Sequence, residues 1–505
     1  MAYVAGVGET LQVVADLTPN HTLHKMMSEK WEFRPRKYPH FDDVIMSEKK
    51  TFSRVSNKDL VAKHAFLPFI LEVFRVRKLS KIKKNPNEEK PYKDRPIRRA
   101  SHQDTQIFSY YRFLMMKQYN KLLIKNDLDN NVIAYRRIPI FPKDSIRQQN
   151  KCNINFAKDV FDQVVEYGNC CVMTFDIKDF FESLDHDFLY KKWCKLLRVN
   201  DLPDDHKHVF RNITKYSVVD WNECLKNLSL TKKVGKKEVP LSNFYLKRKK
   251  QRLCSAKEFR NLIVERGLIE KNKDNKGIPQ GSPISDLLAN LYMIDFDTKM
   301  RELEKKYGGY YRRYSDDILW LCKQEDSNVI KQAVINSIYD CCGSSLNEKG
   351  EKSFTINSKK TTLTNFFKDT DGLRYEGDKL SYLGFTFDGK TVFLRDQTMS
   401  RWKMRTAEVI KSYVLKALKE SKKSGKSIRD HINFSQLCHK ANIANEDYED
   451  DNGKRETNFM TYYLRAKKIF NTNNCGYKMS DSQVKNHKKF IKKRLEEELK
   501  VFPNT

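Results

Sequence analysis

The doublet Asp316-Asp317 lies between two runs of strand-forming residues, Tyr310-Tyr311-Arg312-Arg313-Tyr314 before it and Ile318-Leu319-Trp320-Leu321 after it. Adjacent carboxylates repel one another and cost stability. A hairpin tip that carries both is best explained by a divalent cation that neutralises them and performs phosphoryl chemistry. Ser315-Asp316-Asp317 is also ordinary turn composition, so a polar turn without chemistry is the plain alternative.

Two further segments decide against the plain turn. Upstream, Cys171-Val172-Met173-Thr174-Phe175 is an apolar strand that ends in Asp176, a candidate third carboxylate for a two-metal site. Between the two, Gly277-Ile278-Pro279-Gln280-Gly281-Ser282-Pro283-Ile284-Ser285 reads as a loop entering a helix. Ser282 would cap that helix with Pro283 in its first position, and Ala289, Met293, Phe296, Met300 and Leu303 recur at four and three residues. After the doublet, Ile330, Val334, Ile338 and Cys341 space another helix, with Ser327 as cap and Gly343 as stop.

These segments, in this order and with 140 positions (316 − 176) between the first and second carboxylates, resemble the palm motifs of the reverse transcriptases. The likeness continues at Ile356-Asn357-Ser358-Lys359-Lys360-Thr361, similar to an Asn-x-x-Lys-Thr element, and at Leu380-Ser381-Tyr382-Leu383-Gly384-Phe385, similar to a primer grip. Lys93-Asp94-Arg95-Pro96-Ile97-Arg98-Arg99 followed by Asp104 resembles a fingers motif. Tyr135-Arg136, after Ile133-Ala134, resembles a second. Roughly residues 90 to 390 are covered. The resemblance implies an α+β right-hand polymerase with fingers, a ferredoxin-like palm, a thumb and a helical C-terminal region. The expected divisions are 1–165 for an N-terminal extension and fingers, 166–378 for a palm with a basic insertion about 195–275, and 379–505 for primer grip, helical thumb and basic tail.

The resemblance also assigns roles. Asp176, Asp316, Asp317 and the backbone carbonyl of Ile177 would hold two magnesium ions, with manganese as an alternative, since hard cations take oxygen ligands. Arg95 would grip the triphosphate as a planar fork, Gln280 would lie near the sugar and base, and Leu383-Gly384 would steady the primer. Lys360 is either the proton donor to pyrophosphate or a structural surface lysine. Phe181, five residues after Asp176, stands at the steric gate. A ring there occupies the volume of a ribose 2′-hydroxyl, so dNTPs are the expected substrates.

Composition agrees. With 96 Lys plus Arg against 65 Asp plus Glu the formal charge is +31, and nucleic acid is the natural partner. Arg136 and the run Lys247-Arg248-Lys249-Lys250-Gln251-Arg252 are candidate RNA contacts, with an exposed basic loop and a solvated helix face as the plain alternatives. No apolar run approaches the roughly 20 residues that span a bilayer, and the start lacks a leader pattern, so no membrane partner and a cytoplasmic location are expected. The eleven cysteines form no C-x-x-C pair and read as reduced thiols.

The tail resembles neither an RNase H domain nor a maturase, and it lacks the Val-Thr-Gly of retron enzymes. The long N-terminal part, the Tyr-Ser-Asp-Asp form and the helical tail look like the bacterial defence-associated (abortive-infection and unknown-group) reverse transcriptases. That resemblance implies cDNA made on an RNA template, a dedicated noncoding RNA, in antiphage defence, and it leaves a homo-oligomer open. A mobile-element enzyme of intron or retron type and a catalytically idle RNA-binding scaffold remain as alternatives. Priming starts either from an RNA hydroxyl or from a tyrosine among Tyr3, Tyr38, Tyr448, Tyr462, Tyr463 and Tyr477.

Overall fold

The computed structural model describes residues 30–45, 47–77, 92–141, 149–235, 237–241, 246, 252–343, 354–370, 372–441, 459–472 and 476–502. Strands β1 (Phe69–Arg77) and β2 (Tyr92–Arg99) form an antiparallel ribbon in which Phe74 faces Arg95. From β2 the chain enters helix α1 (His102–Lys125), whose N-terminus is closed from two sides. Ser101 Oγ accepts the Asp104 N–H, and the Asp42 carboxylate accepts those of His102 and Gln103, so three orphan donors are satisfied.

Helix α2 (Asn153–Tyr167) leads into β3 (Cys170–Asp176). After α3 (His186–Leu197) and α4 (Asp204–Thr214) come β4 (Ser217–Asp220), the hairpin β5 (Thr231–Val234) with β6 (Lys237–Pro240), and β7 (Glu270–Lys271). The expectation of an insertion within the palm is corrected in part here. β4 runs parallel to β1 and pairs with β7, so the sheet order is β2-β1-β4-β7 and this stretch completes the fingers sheet.

Helices α5 (Ser285–Tyr292) and α6 (Ile294–Tyr307) precede the hairpin β8 (Tyr310–Tyr314) and β9 (Asp317–Cys322). Helix α7 (Ser327–Cys341), β10 (Thr362–Asp369) and β11 (Gly372–Gly377) follow. The sheet runs β11-β10-β3-β9-β8, all antiparallel. Four adjacent strands, β10-β3-β9-β8, have the ferredoxin-like order, fourth-first-third-second. Side chains alternate across β3. Cys171, Met173 and Phe175 join a core with Phe296, Met300, Ile330 and Val334 from α6 and α7, while Cys170 and Val172 pack with Ile154, Val160 and Phe161 of α2. Helices thus cover both faces, and β3 and β9 are mostly apolar up to the aspartates at their ends.

The helix starts differ from those read in the sequence. The first begins at Ser285, and Ser282 Oγ is buried without a partner among the described residues while Ser285 Oγ donates to the Pro279 carbonyl. Ser327 is inside its helix and donates to the Gln324 carbonyl. The apolar spacing itself persists: Ala289, Met293, Phe296 and Met300 are buried across the break at Met293.

Beyond the palm, β12 (Leu380–Tyr382), β13 (Phe385–Phe387) and β14 (Thr391–Leu394) form a small sheet, and α8 (Asp396–Ser424) is the long basic helix expected of a thumb. Helix α9 (Phe459–Phe470) stacks Phe459 on Trp402 at 4.9 Å, strand β15 (Lys478–Met479) joins β14 in parallel, and α10 (His487–Leu499) packs along α8. Ile410, Val414 and Ala417 meet Ile491 and Leu495 in a separate thumb core. Among the described residues no helix is long and apolar enough to cross a membrane, and the described cysteines are free thiols.

Candidate active site

The register of the palm sheet sets the three aspartates at adjoining backbone positions. Asp176, the last residue of β3, stands directly opposite Asp317, the first of β9. Ile177 N–H bonds to the Asp316 carbonyl at 3.3 Å, so 176 and 317 form the non-hydrogen-bonded pair, whose side chains lie closest across a ladder. Asp316 is in the two-residue turn between Tyr314 and Asp317, where Ser315 has φ 62°. A positive φ at the first loop position suits the strand twist of a short hairpin but is strained for serine.

That strained turn is bonded from several sides. Ser315 Oγ accepts the Tyr135 hydroxyl at 2.9 Å, and the Ser315 carbonyl accepts Arg313 Nη1 at 3.1 Å. Arg313 is fully buried, with a two-pronged bond to buried Asp297 at 2.7 and 2.6 Å and a third contact to Asn290 Oδ1 at 3.0 Å. Tyr311 also donates to Asp297 at 2.6 Å. Tyr135, itself at φ 63°, has its carbonyl held by Arg112, which grips Asp286 of α5 through two bonds of 2.9 Å. Asp297 carries no local motif of its own, and although Tyr135 and Arg313 fall within recognisable segments, nothing local in the sequence shows that they hold this turn.

The electrostatics of the cleft are those of buried, crowded anions. The Asp317 carboxyl is pushed up to about 6 by desolvation first and then by the charges of Asp316 and Asp176, with Arg395 opposing. Asp316 is raised for the same leading reason. Lys360, from the turn Ser358–Lys360, holds Asp176 Oδ2 at 2.5 Å. Among the described residues no three His, Cys, Asp or Glu side chains are gathered to enclose a cation. The donor set still fits one: three carboxylates at adjoining positions, two of them destabilised as anions, are the oxygen ligands a hard divalent ion takes.

The other expected residues divide into those near this cleft and those outside it. Phe181 is half-buried in the turn Phe180–Glu182, its carbonyl accepting the Ile278 N–H at 2.8 Å. Gln280 is in the neighbouring loop, its carbonyl taking the Arg98 N–H of β2 at 2.8 Å. Leu383 and Gly384 form the turn between β12 and β13 with φ 44° and 95°, and Leu383 O accepts Asn153 Nδ2 at 3.2 Å. Arg95 is exposed on β2 and meets no partner among the described residues. Asp104 is structural, buried against His64 Nε2 at 2.7 Å and the Leu67 N–H.

Two expectations on RNA contacts change. Arg136 is spent inside the fold: its guanidinium bonds Asn120 Oδ1, the carbonyls of Asp129 and Val132 and the Asp129 carboxylate, and its side chain is 1% exposed. Arg252 is partly engaged, with Asp43 at 2.8 Å and the Cys254 carbonyl at 3.0 Å. Lys247, Arg248, Lys249 and Lys250 lie outside the described residues. Of the tyrosines considered for priming, Tyr3 and Tyr448 also lie outside. Tyr463 and Tyr477 are buried with hydroxyls on Asp481 and Asp162, Tyr462 accepts from Asn153, and Tyr38 donates to the Ala100 carbonyl.

Among solved structures, apo telomerase from Candida tropicalis, truncated from its C-terminal domain, matches over 68% of this chain and 60% of that one, with 9% identity and TM-score 0.35. Telomerase from Candida albicans in complex with a TWJ fragment of telomeric RNA matches over 72% and 52%, with 12% identity and TM-score 0.32. The Candida tropicalis telomerase with the same kind of RNA fragment matches over 87% and 63%, with 13% identity and TM-score 0.31. The chain thus spans between about half and two thirds of these proteins. Residues 103–387, more than half of the chain and the stretch that holds all three carboxylates, match the family described as reverse transcriptase (RNA-dependent DNA polymerase), and the chain belongs to that family.

Proposed function

We propose that this protein is an RNA-directed DNA polymerase that copies an RNA template into cDNA from dNTPs. The observation that carries the reading is the cross-strand register of Asp176 with Asp317, with Asp316 fixed in the adjoining turn. Asp176, Asp316, Asp317 and the Ile177 carbonyl would hold two magnesium ions, which when bound supply the charge that activates the primer hydroxyl and stabilises the departing pyrophosphate. Lys360, half exposed beside Asp176, is placed to donate a proton to an anionic leaving group in the same cleft. Phe181 excludes a 2′-hydroxyl, Gln280 lines the sugar side and Arg95 takes the triphosphate. Leu383 and Gly384, at the tip of a tight hairpin, support the primer strand.

The biological setting in this proposal is cytoplasmic antiphage defence with a dedicated structured RNA as template. Its support is the resemblance in the Tyr-Ser-Asp-Asp hairpin, the long N-terminal part and the helical tail, together with the charge of +31. Of the tyrosines considered for priming, the four within the described residues all have engaged hydroxyls, which favours priming from an RNA hydroxyl. Purification from the host followed by sequencing of bound RNA and DNA tests the template. A phage challenge of strains carrying wild type or Asp316→Asn with Asp317→Asn tests the setting. Protection that survives loss of both carboxylates would remove DNA synthesis from the defence, and no bound cDNA in the wild type would overturn the polymerase reading.

A further inference from the structure

Three elements read above as surrounding the incoming nucleotide come from distant parts of the chain: β2 with Arg95, the turn with Phe181, and the loop with Gln280. A single residue, Arg98, touches the other two with three different groups. Its guanidinium reaches Glu182, the residue after Phe181, through Nη1 at 2.6 Å and Nη2 at 3.4 Å. Its backbone N–H donates to the Gln280 carbonyl at 2.8 Å. Its carbonyl lies against Gly281, where an added Cβ would come within 2.6 Å of that oxygen. Gly281 has φ 117°, so both the space and the backbone demand glycine there.

The contacts extend past Arg98. Gly277 packs under the Glu182 carbonyl, which an added Cβ would approach to 3.0 Å, and Ile278 N–H bonds the Phe181 carbonyl. The Arg98 side chain is 12% exposed and lies over the Tyr216 ring at 5.2 Å, which fixes the fork in one orientation. A shift of Glu182 would therefore move the backbone of Phe181 by the same rigid turn.

We propose that Arg98, with Glu182 as its counter-charge, is a positioning residue that sets how closely the Phe181 ring approaches the nucleotide sugar, and so sets selection of deoxy- over ribonucleotides. This deepens the proposed polymerase function and rests on the reading of Phe181 as the sugar gate. The Arg95 fork and the Gln280 loop are coupled to the gate through the same residue. Loss of the pair would loosen sugar selection and nucleotide affinity together, while template binding would be untouched.

Single-nucleotide incorporation by the full chain, with each dNTP and its rNTP counterpart, tests this on Glu182→Ala, Arg98→Lys and Phe181→Ala. Glu182 is 38% exposed on its side chain, so its truncation leaves the core intact. Glu182→Ala should raise the ribo-to-deoxy incorporation ratio by about tenfold, because a displacement of about 1 Å at a reacting centre has effects of that order or more. The KM for dNTP should rise by more than kcat falls. Arg98→Lys keeps the charge and loses the fork, and should give an intermediate ratio. If Phe181→Ala moves the ratio while both pair variants leave it at the wild-type value and lower only the melting temperature, the pair is structural and the proposal is wrong. If Phe181→Ala also leaves the ratio unchanged, the gate reading falls and takes this proposal with it.

Discussion

The turn that carries Asp316 and the strand that carries Arg95 are assigned to the same reaction, yet they are built in opposite ways. Around Ser315 a hydroxyl, a carbonyl and a fully buried arginine are all bonded, whereas Arg95 extends from the outer half of β2 without a partner among the described residues. Metal-binding carboxylates repel one another and must be held by the fold before any ligand arrives. A triphosphate brings its own charge, so the side chain that meets it needs only reach and a planar fork. The difference separates groups whose order is stored in the protein from groups whose order is supplied by the substrate.

The largest test of that contrast is Asp316→Asn with Asp317→Asn. Nucleotide incorporation should fall on the order of a thousandfold or more, while the melting temperature holds or rises because the repulsion is gone. A double variant with near-wild-type incorporation would break the metal assignment. Next, Asp297→Asn should destabilise the protein by about 3 to 5 kcal/mol in urea unfolding, since it strands a buried guanidinium. A loss below about 1 kcal/mol, the value of an exposed pair, would mean that the network does not hold the turn.

On the other side of the contrast, Arg95→Ala should leave the melting temperature unchanged. It should raise KM for dNTP about tenfold, the loss of one charged hydrogen bond worth about 1.5 kcal/mol. An equal loss of stability would show that Arg95 is structural after all. The smallest effect is on pH. Asp317 has a carboxyl raised to about 6, so the folded state holds its proton more tightly than the unfolded chain does. Stability from this group is full below the usual carboxylate value and is lost as pH rises through about 6. Without added divalent ion, the melting temperature of wild type relative to Asp317→Asn should fall between about pH 4 and 6, and excess magnesium should flatten the difference. A difference that is flat without magnesium would refute the raised Asp317 carboxyl and the burial and neighbouring charge that account for it.

Much of the site was legible because its signals are local. Two carboxylates between strand-forming runs, an apolar strand ending in Asp176 and a Gly-Ile-Pro-Gln-Gly loop each announce an element and its edge. The helix caps were misplaced because Ser282 and Ser327 have cap composition without cap geometry. Ile284 and Asp326, in the capping positions, have helical backbone angles that no side-chain cap uses. Arg136 looked available because nothing nearby in sequence shows that its loop folds the Asp129 and Val132 carbonyls around the guanidinium. Arg98 and Glu182 are 84 positions apart, and Arg313 meets Asp297 across a helix and a strand. Such pairs are tertiary facts with no period to read.

The parallel pairing of β1 with β4 carries a consequence for how the chain is made. β1 ends at Arg77, but its neighbour arrives only at Ser217 and the last strand of that sheet only at Lys271. During synthesis, then, β1 and β2 can pair with each other early yet must wait, one edge open, while helices α1 to α4 and the first palm strand, β3, emerge. An unpaired strand edge of this kind is a template for wrong partners.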